Sequence, residues 1–234
     1  MKTRTFGSLE AVVTGGTDRE GGGDGPVVVL LHGFGAPGTD LVPLWRVLDV
    51  PREVRFVFPA APIPLAMGMG FESRAWWMID MAAYDRAVRT GEYRDLSRTI
   101  PDGLADARQK VNALLDAVEK ELNPSSLVLG GFSQGAMLSL DVALRGDRAL
   151  AGLIVFSGTL LAREEWLPLL TKRAGLRVVQ SHGRQDPILP FALAEELKGE
   201  LEKAGAVVRW VPFQGAHEIP PPALEAATDL LRML

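Results

Sequence analysis

Short apolar runs of strand length alternate along the chain with segments of helical periodicity. The run Val27–Leu31 is apolar at every position, which is typical of a strand covered on both faces. Between residues 101 and 122, apolar side chains recur instead at helical spacing, with Pro101 in the first turn and Asn123 at the end. This alternation predicts an α/β fold with a mostly parallel central sheet and helices on both faces. The other predicted strands cover residues 55–58, 126–129, 153–156, 177–179 and 207–211, and the other predicted helices cover residues 133–144, 190–204 and 221–234.

Length and composition place the chain among ordinary globular proteins. Its 234 residues fit one α/β domain, predicted to extend over residues 1–234, and its 47% hydrophobic and 23% charged residues are typical values. The net charge of −4 disfavours nucleic acid as a partner. Because the chain has no cysteine, disulfides, thiolate nucleophiles and thiolate metal sites are excluded.

No segment of the sequence predicts export or membrane insertion. The first residues include basic side chains but no apolar stretch of signal-peptide length. A bilayer span needs about 20 apolar residues, and no run approaches this length. We therefore predict a cytoplasmic protein without an integral membrane segment, with a secreted protein that lacks cysteine as the alternative.

Two segments interrupt the alternation of strands and helices. Residues 14–26 are rich in glycine and charge and are interpreted as a flexible loop at the tip of an early hairpin. They lack the lysine and the Ser or Thr of a phosphate-binding P-loop. Residues 59–99 form a long segment that is predicted to be irregular. Long irregular segments in compact domains are commonly functional, so this one is predicted to shape a substrate site.

A serine between two glycines follows the predicted strand 126–129. The order Gly131, Phe132, Ser133, Gln134, Gly135 fits the nucleophile elbow, in which a strand turns sharply into a helix and exposes a serine hydroxyl. The two glycines are the predicted elbow glycines, since only small residues fit so tight a turn. A pattern this short also occurs as a plain glycine turn, so by itself it leaves both interpretations open.

A serine nucleophile needs a neighbouring base, and the chain contains three histidines. His217 follows the last predicted strand, so it emerges at the same sheet edge as the Ser133 turn. His32 and His182 each end a strand and precede a glycine, which is typical of a histidine that bonds loop backbone. His217 is therefore the predicted general base.

The base in turn needs an acceptor that orients its ring, usually an aspartate. Asp186 lies in a proline-flanked loop after the penultimate strand, between Ser133 and His217 in the chain. This order of Ser, Asp and His is the one described for α/β-hydrolases, and it makes Asp186 the predicted acid. The rival acids are Asp229, expected to be buried in the last helix, Glu218, too close in sequence to His217, and Glu225.

Backbone N–H donors are needed for the oxyanion that develops during acyl transfer. One predicted donor is the amide of Gln134, the residue after the serine, and this amide is expected to matter more than the Gln134 side chain. Glycines on both sides of Phe34 let the loop after the first long strand turn inward, so the Phe34 amide is the predicted second donor. That glycine loop alone is equally compatible with a simple turn.

With these residues the chain resembles the phospholipase/carboxylesterase family of α/β-hydrolases, which includes the acyl-protein thioesterases. The resemblance extends from residue 27 to the C-terminus through LLHGFGAPGTDL, RAWWMID, GGFSQGAMLSL, HGRQDPILP and GAHEIPP. It implies an α/β-hydrolase fold, with Ser133 as nucleophile, Asp186 and His217 as its partners and the two amides as oxyanion hole. It also places Trp76 and Trp77 beside an acyl pocket and is compatible with a homodimer.

The sequence departs from the family pattern around the expected substrate site. After Trp77 the chain continues Met-Ile-Asp, where the family usually has an aromatic and an acidic residue. Residues 81–99 are rich in charge, and residues 159–174 are peculiar to this chain. These departures concern the identity of the substrate rather than the fold or the catalytic residues.

The predicted function is a serine hydrolase that cleaves carboxylic esters through an acyl-enzyme, with thioesterase and lysophospholipase activity as further options. The substrate is expected to be a small or lipid-like acyl ester, held by an adaptable apolar wall that includes Trp76, Trp77, Met67 and Met69. The same side chains are equally compatible with ordinary core packing. No metal or cofactor is expected, since three scattered histidines form no zinc signature. The alternatives are a peptidase or lactone hydrolase on the same residues, or a binding protein without turnover.

Overall fold

The computed structural model describes residues 1–66, 72–90, 95 and 97–234, without the side chains of residues 84, 85, 87 and 88. The strands in these ranges are β1 (Lys2–Phe6), β2 (Leu9–Gly16), β3 (Glu20–Gly22), β4 (Val27–Leu31), β5 (Arg55–Pro59), β6 (Ile63–Leu65), β7 (Ser73–Ala75), β8 (Leu127–Phe132), β9 (Gly152–Phe156), β10 (Arg177–Gly183) and β11 (Val207–Phe213). The helices are α1 (Leu44–Val47), α2 (Met81–Thr90), α3 (Leu104–Leu122), α4 (Gln134–Arg145), α5 (Arg163–Trp166), α6 (Phe191–Lys203) and α7 (Pro221–Leu231), and Leu167–Arg173 forms a 3₁₀ helix.

The main sheet has the strand order β1-β2-β5-β4-β8-β9-β10-β11, with β3 beside β2, while β6 and β7 pair separately. From β5 to β11 in this order, neighbouring strands are parallel, and β1 and β2 add antiparallel pairs at one edge. The predicted α/β fold with a mostly parallel sheet is therefore confirmed. Because parallel strands end at one edge, the loops that follow β4, β8, β10 and β11 come together there.

Both faces of the sheet are buried, which explains the continuous apolar runs in the sequence. In β4, Val27 and Val29 belong to the core that includes side chains of α3, α4 and α6. Val28 and Leu30 point to the opposite face and share a core with side chains of α7. Each fully buried side chain of this kind contributes about 1.5–3 kcal/mol, so the sheet is a rigid support for the loops at its edge.

The helices lie close to the predicted positions, with one shift at the end of α7, which stops at Leu231 rather than at residue 234, and another at the start of α3. This helix begins at Leu104 rather than Pro101, because Gly103 has a left-handed φ of 87° and Pro101 belongs to the turn before it. Asn123 ends α3 in a left-handed conformation, at the predicted position. Among the described residues, no helix combines the length and apolar character needed to cross a bilayer.

The glycine-rich segment 14–26 contains more strand than predicted. The end of β2 lies within it, and β3 runs beside that end. The Asp18 carboxylate closes the turn between them by accepting the N–H groups of Glu20 and Gly22 at 2.7 and 2.8 Å. The prediction of a flexible loop at a hairpin tip was wrong, because β3 forms inside the segment and the flanking strands β2 and β4 are not neighbours in the sheet.

The two segments expected to shape the substrate site contain regular elements. The described part of residues 59–99, predicted to be irregular, includes β6, β7 and α2, and residues 159–174 include α5 and the 3₁₀ helix. Trp166 of α5 donates its indole N–H to the buried Asp141 carboxylate of α4 at 2.8 Å. Arg173 donates to three backbone carbonyls at and beyond the end of α4. Residues 159–174 are therefore fastened to the helix that follows Ser133.

Candidate active site

Ser133 lies at the sharp turn between β8 and α4. Its backbone has a φ of 54° and a ψ of −117°, a conformation that costs an L-residue about 1–3 kcal/mol. The Ser133 N–H donates to the Phe156 carbonyl at 2.9 Å, which ties the turn to the end of β9. Strain of this size persists only where the surrounding structure holds it, and it is characteristic of functional sites.

The two glycines of the turn leave no room for a side chain. A Cβ built on Gly131 or on Gly135 would overlap the carbonyl oxygen of Leu31, the last residue of β4. The serine turn is thus pressed against the strand that leads into the loop of Phe34. Both glycines therefore occupy positions at which the nucleophile elbow requires a residue without a side chain.

His217 and Asp186, which are 31 residues apart in the chain, are in direct contact, with His217 Nδ1 at 2.6 Å from Asp186 Oδ2. β10 and β11 are parallel neighbours, so the loops that follow them emerge side by side and bring the two residues together. With Nδ1–H donating to the carboxylate, Nε2 is left as the basic nitrogen of the ring. This is the tautomer that a general base requires.

The Asp186 carboxylate is buried and held in one orientation. Its Oδ1 accepts the N–H of Ile188 at 2.8 Å and that of Leu189 at 2.9 Å. Burial alone would raise the pKa of Asp186, but the His217 hydrogen bond and charge, together with these N–H donors, lower it below its usual value. The group is therefore ionised at neutral pH and suited to orient and stabilise a protonated imidazole.

The rival acids make other contacts. Asp229 is half exposed and paired with Arg209 at 2.5 Å, so the prediction that it is buried was wrong. It lies on the outer side of α7, whose buried positions are occupied by alanine, threonine and leucine. Glu218 is exposed and accepts the N–H of Ala216 at 3.3 Å, and Glu225 is exposed on α7. None of the three replaces Asp186 beside His217.

His32 is buried at the end of β4 and bonds backbone groups, as predicted. Its Nε2 accepts the Ala61 N–H at 3.0 Å, and its Nδ1 lies 2.8 Å from the Gly33 carbonyl. These contacts make it the neutral Nδ1–H tautomer, because a carbonyl can only accept. Burial lowers the pKa of His32, in keeping with a neutral ring.

His182 is also buried and bonds backbone, and in addition it approaches the predicted acid. Its Nε2 donates to the Leu189 carbonyl at 2.9 Å and lies 3.3 Å from Asp186 Oδ2. Burial lowers the pKa of His182, so this ring is neutral as well. Among the described residues, no three His, Asp or Glu side chains are grouped so that they could hold a metal ion.

A cavity of about 250 Å³ at the carboxyl edge of the sheet brings the predicted site residues together. Ser133, His217, Phe34 and Gln134 all line it. Within the described part of the chain, the N–H groups of Phe34 and Gln134 have no hydrogen-bond partner. Gly33 packs against the serine turn, since a Cβ built on it would lie 3.4 Å from Ser133 Cβ. Two unpaired donors near a serine are what an oxyanion would require.

The remaining wall of the cavity is mostly apolar. Asp40 and Asp80 add two carboxylates to the lining. Met67 and Met69 lie outside the described residues, so their place in the wall stays a prediction. The apolar lining residues include Trp77, Ile79, Met137, Leu161, Ile188 and Leu189.

Trp76, predicted to line the acyl pocket beside Trp77, is instead buried in the core with 1% of its surface exposed. Its indole N–H donates to the His32 carbonyl at 2.9 Å, and its ring lies 5.5 Å from the His32 ring. Trp77 belongs to the same core, with 3% of its surface exposed, but it also lines the cavity, a difference that the letters WW do not reveal. We therefore revise the prediction for Trp76 from a lining residue to a support behind the cavity.

Two side chains at the site carry contacts that the sequence analysis missed. Ser157 follows β9 with a φ of 49°, is fully buried, and donates its hydroxyl to the Glu218 carbonyl at 3.1 Å, next to His217. A Ser-Gly pair directly after a strand was the available signal. The Gln134 side chain forms hydrogen bonds to the backbone of Trp76 and Trp77. The sequence had suggested a role only for the Gln134 backbone N–H.

Known proteins are similar in sequence to this chain over most of its length. The sequence model described as phospholipase/carboxylesterase matches residues 19–234. Acyl-protein thioesterase 1 of Gibberella zeae is 30% identical over 216 residues, which cover 88% of each chain. The protein of the same name from Neurospora crassa is 28% identical over 215 residues, which cover 87% of this chain and 84% of that relative.

Solved structures share the fold. The crystal structure of esterase PE8 matches with a TM-score of 0.78 at 30% identity and covers 96% of this chain and 98% of that chain. The Bacillus cereus carboxylesterase matches with a TM-score of 0.68 at 24% identity, over 96% of this chain and 94% of the other, and supports the fold alone. The predicted α/β-hydrolase arrangement is therefore confirmed.

Proposed function

The chain belongs to the phospholipase/carboxylesterase family of carboxylic ester hydrolases, and on this premise we propose that it is a serine hydrolase with Ser133 as nucleophile. In this proposal His217 is the general base, Asp186 orients it, and the amides of Phe34 and Gln134 bind the oxyanion. The supporting observation is the 2.6 Å contact between His217 Nδ1 and Asp186 Oδ2, with His217 in the same cavity as a strained serine. A protein that only binds its ligand needs neither feature, which disfavours the non-catalytic alternative.

Acylation begins when the Ser133 hydroxyl attacks the substrate carbonyl carbon and its proton passes to His217 Nε2. The ionised Asp186 stabilises the imidazolium that results. The oxyanion accepts the N–H groups of Phe34 and Gln134, each of which is expected to contribute roughly 3–4 kcal/mol to the transition state. When the tetrahedral intermediate collapses, the leaving alcohol or thiol takes the proton from His217, and the acyl group stays on Ser133.

In deacylation, water is the nucleophile and Ser133 is the leaving group. A water molecule enters where the alcohol left, and His217 Nε2 removes its proton as it attacks the acyl carbonyl carbon. The same two amides bind the second oxyanion. Collapse releases the carboxylic acid, and the proton on His217 returns to Ser133. His217 thus serves both half-reactions, because the alcohol or thiol leaves and the water attacks on the same side of the acyl carbonyl.

The substrate class follows from the cavity wall and from the relatives. Trp77, Met137 and Leu161 offer a mostly apolar surface along an acyl chain, and Met137 is adaptable in shape. Carboxylic esters with small or lipid-like acyl groups are the proposed substrates. Thioester cleavage is included, because relatives are named acyl-protein thioesterase 1 and a thiolate leaves at least as readily as an alkoxide.

The acyl-chain preference tests this assignment. For p-nitrophenyl esters from acetate to decanoate, kcat/KM is expected to rise about fourfold with each methylene that enters the cavity, because burial of a methylene contributes about 0.8 kcal/mol. The rise should stop when the cavity is full. Hydrolysis of matched thioesters should follow the same profile, and matched p-nitroanilides should be cleaved far more slowly. The measurement is initial rates at constant pH with the Ser133→Ala variant as background.

Two results would redirect the proposal. Faster cleavage of the anilides than of the esters would favour the peptidase alternative, and a preference for cyclic over open-chain esters would favour a lactone hydrolase. A flat profile from acetate to decanoate would contradict the assignment of this cavity as the acyl site.

A further inference from the structure

We propose that the Gln134 side chain is a positioning residue that fixes the wall of the acyl cavity and the Phe34 loop relative to the nucleophile. This role is separate from that of the Gln134 amide and rests on the proposed serine hydrolase function. It concerns the side chain, whose two hydrogen bonds both go to the backbone of another segment.

The Gln134 side chain is 2% exposed and uses both ends of its amide group. Its Oε1 accepts the Trp76 N–H at 2.9 Å, and its Nε2 donates to the Trp77 carbonyl at 2.9 Å. Both bonds reach a segment more than fifty residues away in the chain, since the separations are 58 and 57 residues. Gln134, the residue after the nucleophile, therefore binds the segment that carries Trp77 through two hydrogen bonds.

The segment around Trp76 is in turn hydrogen-bonded to the loop of Phe34, the second oxyanion donor. Trp76 donates its indole N–H to the His32 carbonyl at 2.9 Å, two residues before Phe34. Beyond Phe34, the Gly35 N–H donates to the Arg74 carbonyl at 2.9 Å and the Arg74 N–H donates to the Ala36 carbonyl at 3.0 Å. The Phe34 loop is thus attached on both sides to the segment around Trp76, and Gln134 joins that segment to the serine turn.

The two partners require a side chain that is an acceptor at one atom and a donor at another. The Trp76 N–H needs an acceptor and the Trp77 carbonyl needs a donor, and a glutamine supplies one of each. A glutamate would supply the acceptor, and it would supply the donor only while its carboxyl group is protonated. A methionine of similar shape would supply neither. These differences separate a positioning role from simple filling of space.

The first test is Gln134→Met, measured with the best p-nitrophenyl ester. Loss of both bonds should displace the oxyanion loop and the cavity wall by a fraction of an ångström to an ångström, and kcat/KM should fall about 10²-fold. The matched control is Gln180→Met, because Gln180 is an equally buried glutamine on β10 that donates to the Ala194 carbonyl at 2.7 Å. The control should lose stability but keep kcat/KM within a few-fold of wild type.

The second test is Gln134→Glu, measured as the ratio of variant to wild-type kcat/KM across pH 5 to 9, a range of about four units around neutrality. Burial raises the pKa of the introduced carboxyl group above the ordinary value of about 4.3, so its ionisation falls within the assay range. The protonated form keeps both hydrogen bonds, and the ionised form loses the donor and repels the Trp77 carbonyl. The ratio should therefore be highest at low pH and fall as pH rises.

The outcomes separate the possible failures. A Gln134→Met variant with wild-type kcat/KM, or a Gln134→Glu ratio that does not change with pH, would overturn the inference. If Gln134→Met does not fold, the pH dependence of the Gln134→Glu ratio decides. A wild-type protein that hydrolyses none of the esters would overturn the proposed function, and this inference with it.

Discussion

Replacement of Ser133 by alanine is expected to lower kcat for ester hydrolysis by about 10⁴- to 10⁶-fold, because no other group can take the place of the nucleophile. The fold should remain intact. The Ser133 side chain makes no capping hydrogen bond to α4, and alanine meets the same backbone conformation with the same Cβ. The measurement is kcat with a p-nitrophenyl ester, together with thermal unfolding followed by circular dichroism.

The control for this variant is the same substitution at Ser8, an exposed serine between β1 and β2. It should leave kcat and the unfolding temperature unchanged. A Ser133→Ala variant that keeps a tenth or more of wild-type kcat would show that the nucleophile lies elsewhere.

Replacement of His217 by alanine is expected to have an effect of the same order, about 10⁴- to 10⁶-fold in kcat, because nucleophile and base act as one unit. Without the base, the hydroxyl of Ser133 keeps its proton at neutral pH and attacks poorly. The loss should be insensitive to acyl-chain length, since His217 contacts the reacting atoms rather than the chain. The measurement is kcat over the ester series, and imidazole added to the assay should restore part of the rate through the space that the side chain leaves.

Glu218→Ala is the matched control for His217→Ala. Glu218 stands next in the same loop, is exposed, and was a rival for the acid. Its removal should change kcat by no more than a few-fold. A large loss in Glu218→Ala together with near-wild-type rates in His217→Ala would contradict the assignment of base and acid.

The fold was predictable from the sequence because its main signals are local. A run such as Val27–Leu31 requires cover on both faces, and both cores are present in the structure. The order of Ser133, Asp186 and His217, each after a strand, allowed their meeting to be predicted, because parallel strands end at one edge. The family assignment was likewise predictable from short motifs, and the comparisons confirm it.

What the sequence did not reveal depends on contacts between distant segments. Trp76 and Trp77 are neighbours in the chain and both belong to the core, and only the packing of the segment after β7 decides that Trp77 also lines the cavity. The bonds of the Gln134 side chain join residues more than fifty positions apart, which no local pattern encodes. The exposure of Asp229 depends in the same way on how α7 faces the sheet.

Some predictions await their own measurements. The homodimer implied by the family resemblance calls for sedimentation or light scattering, and the cytoplasmic location calls for fractionation of cells. The single domain over residues 1–234 calls for a single cooperative unfolding transition. The wall residues Met67 and Met69 call for substitution and the acyl-chain series, since they lie outside the described residues.

The central claim is that Ser133 is an activated nucleophile, and labelling with a fluorophosphonate tests it most directly. In the reaction the Ser133 oxygen bonds to phosphorus, its proton passes to His217, and fluoride leaves. We predict that the folded protein forms a phosphonyl adduct, that mass spectrometry places the adduct on the peptide containing Ser133, and that Ser133→Ala and heat-denatured protein stay unlabelled. Absence of an adduct in the folded protein, or an adduct on a different serine, would contradict the account.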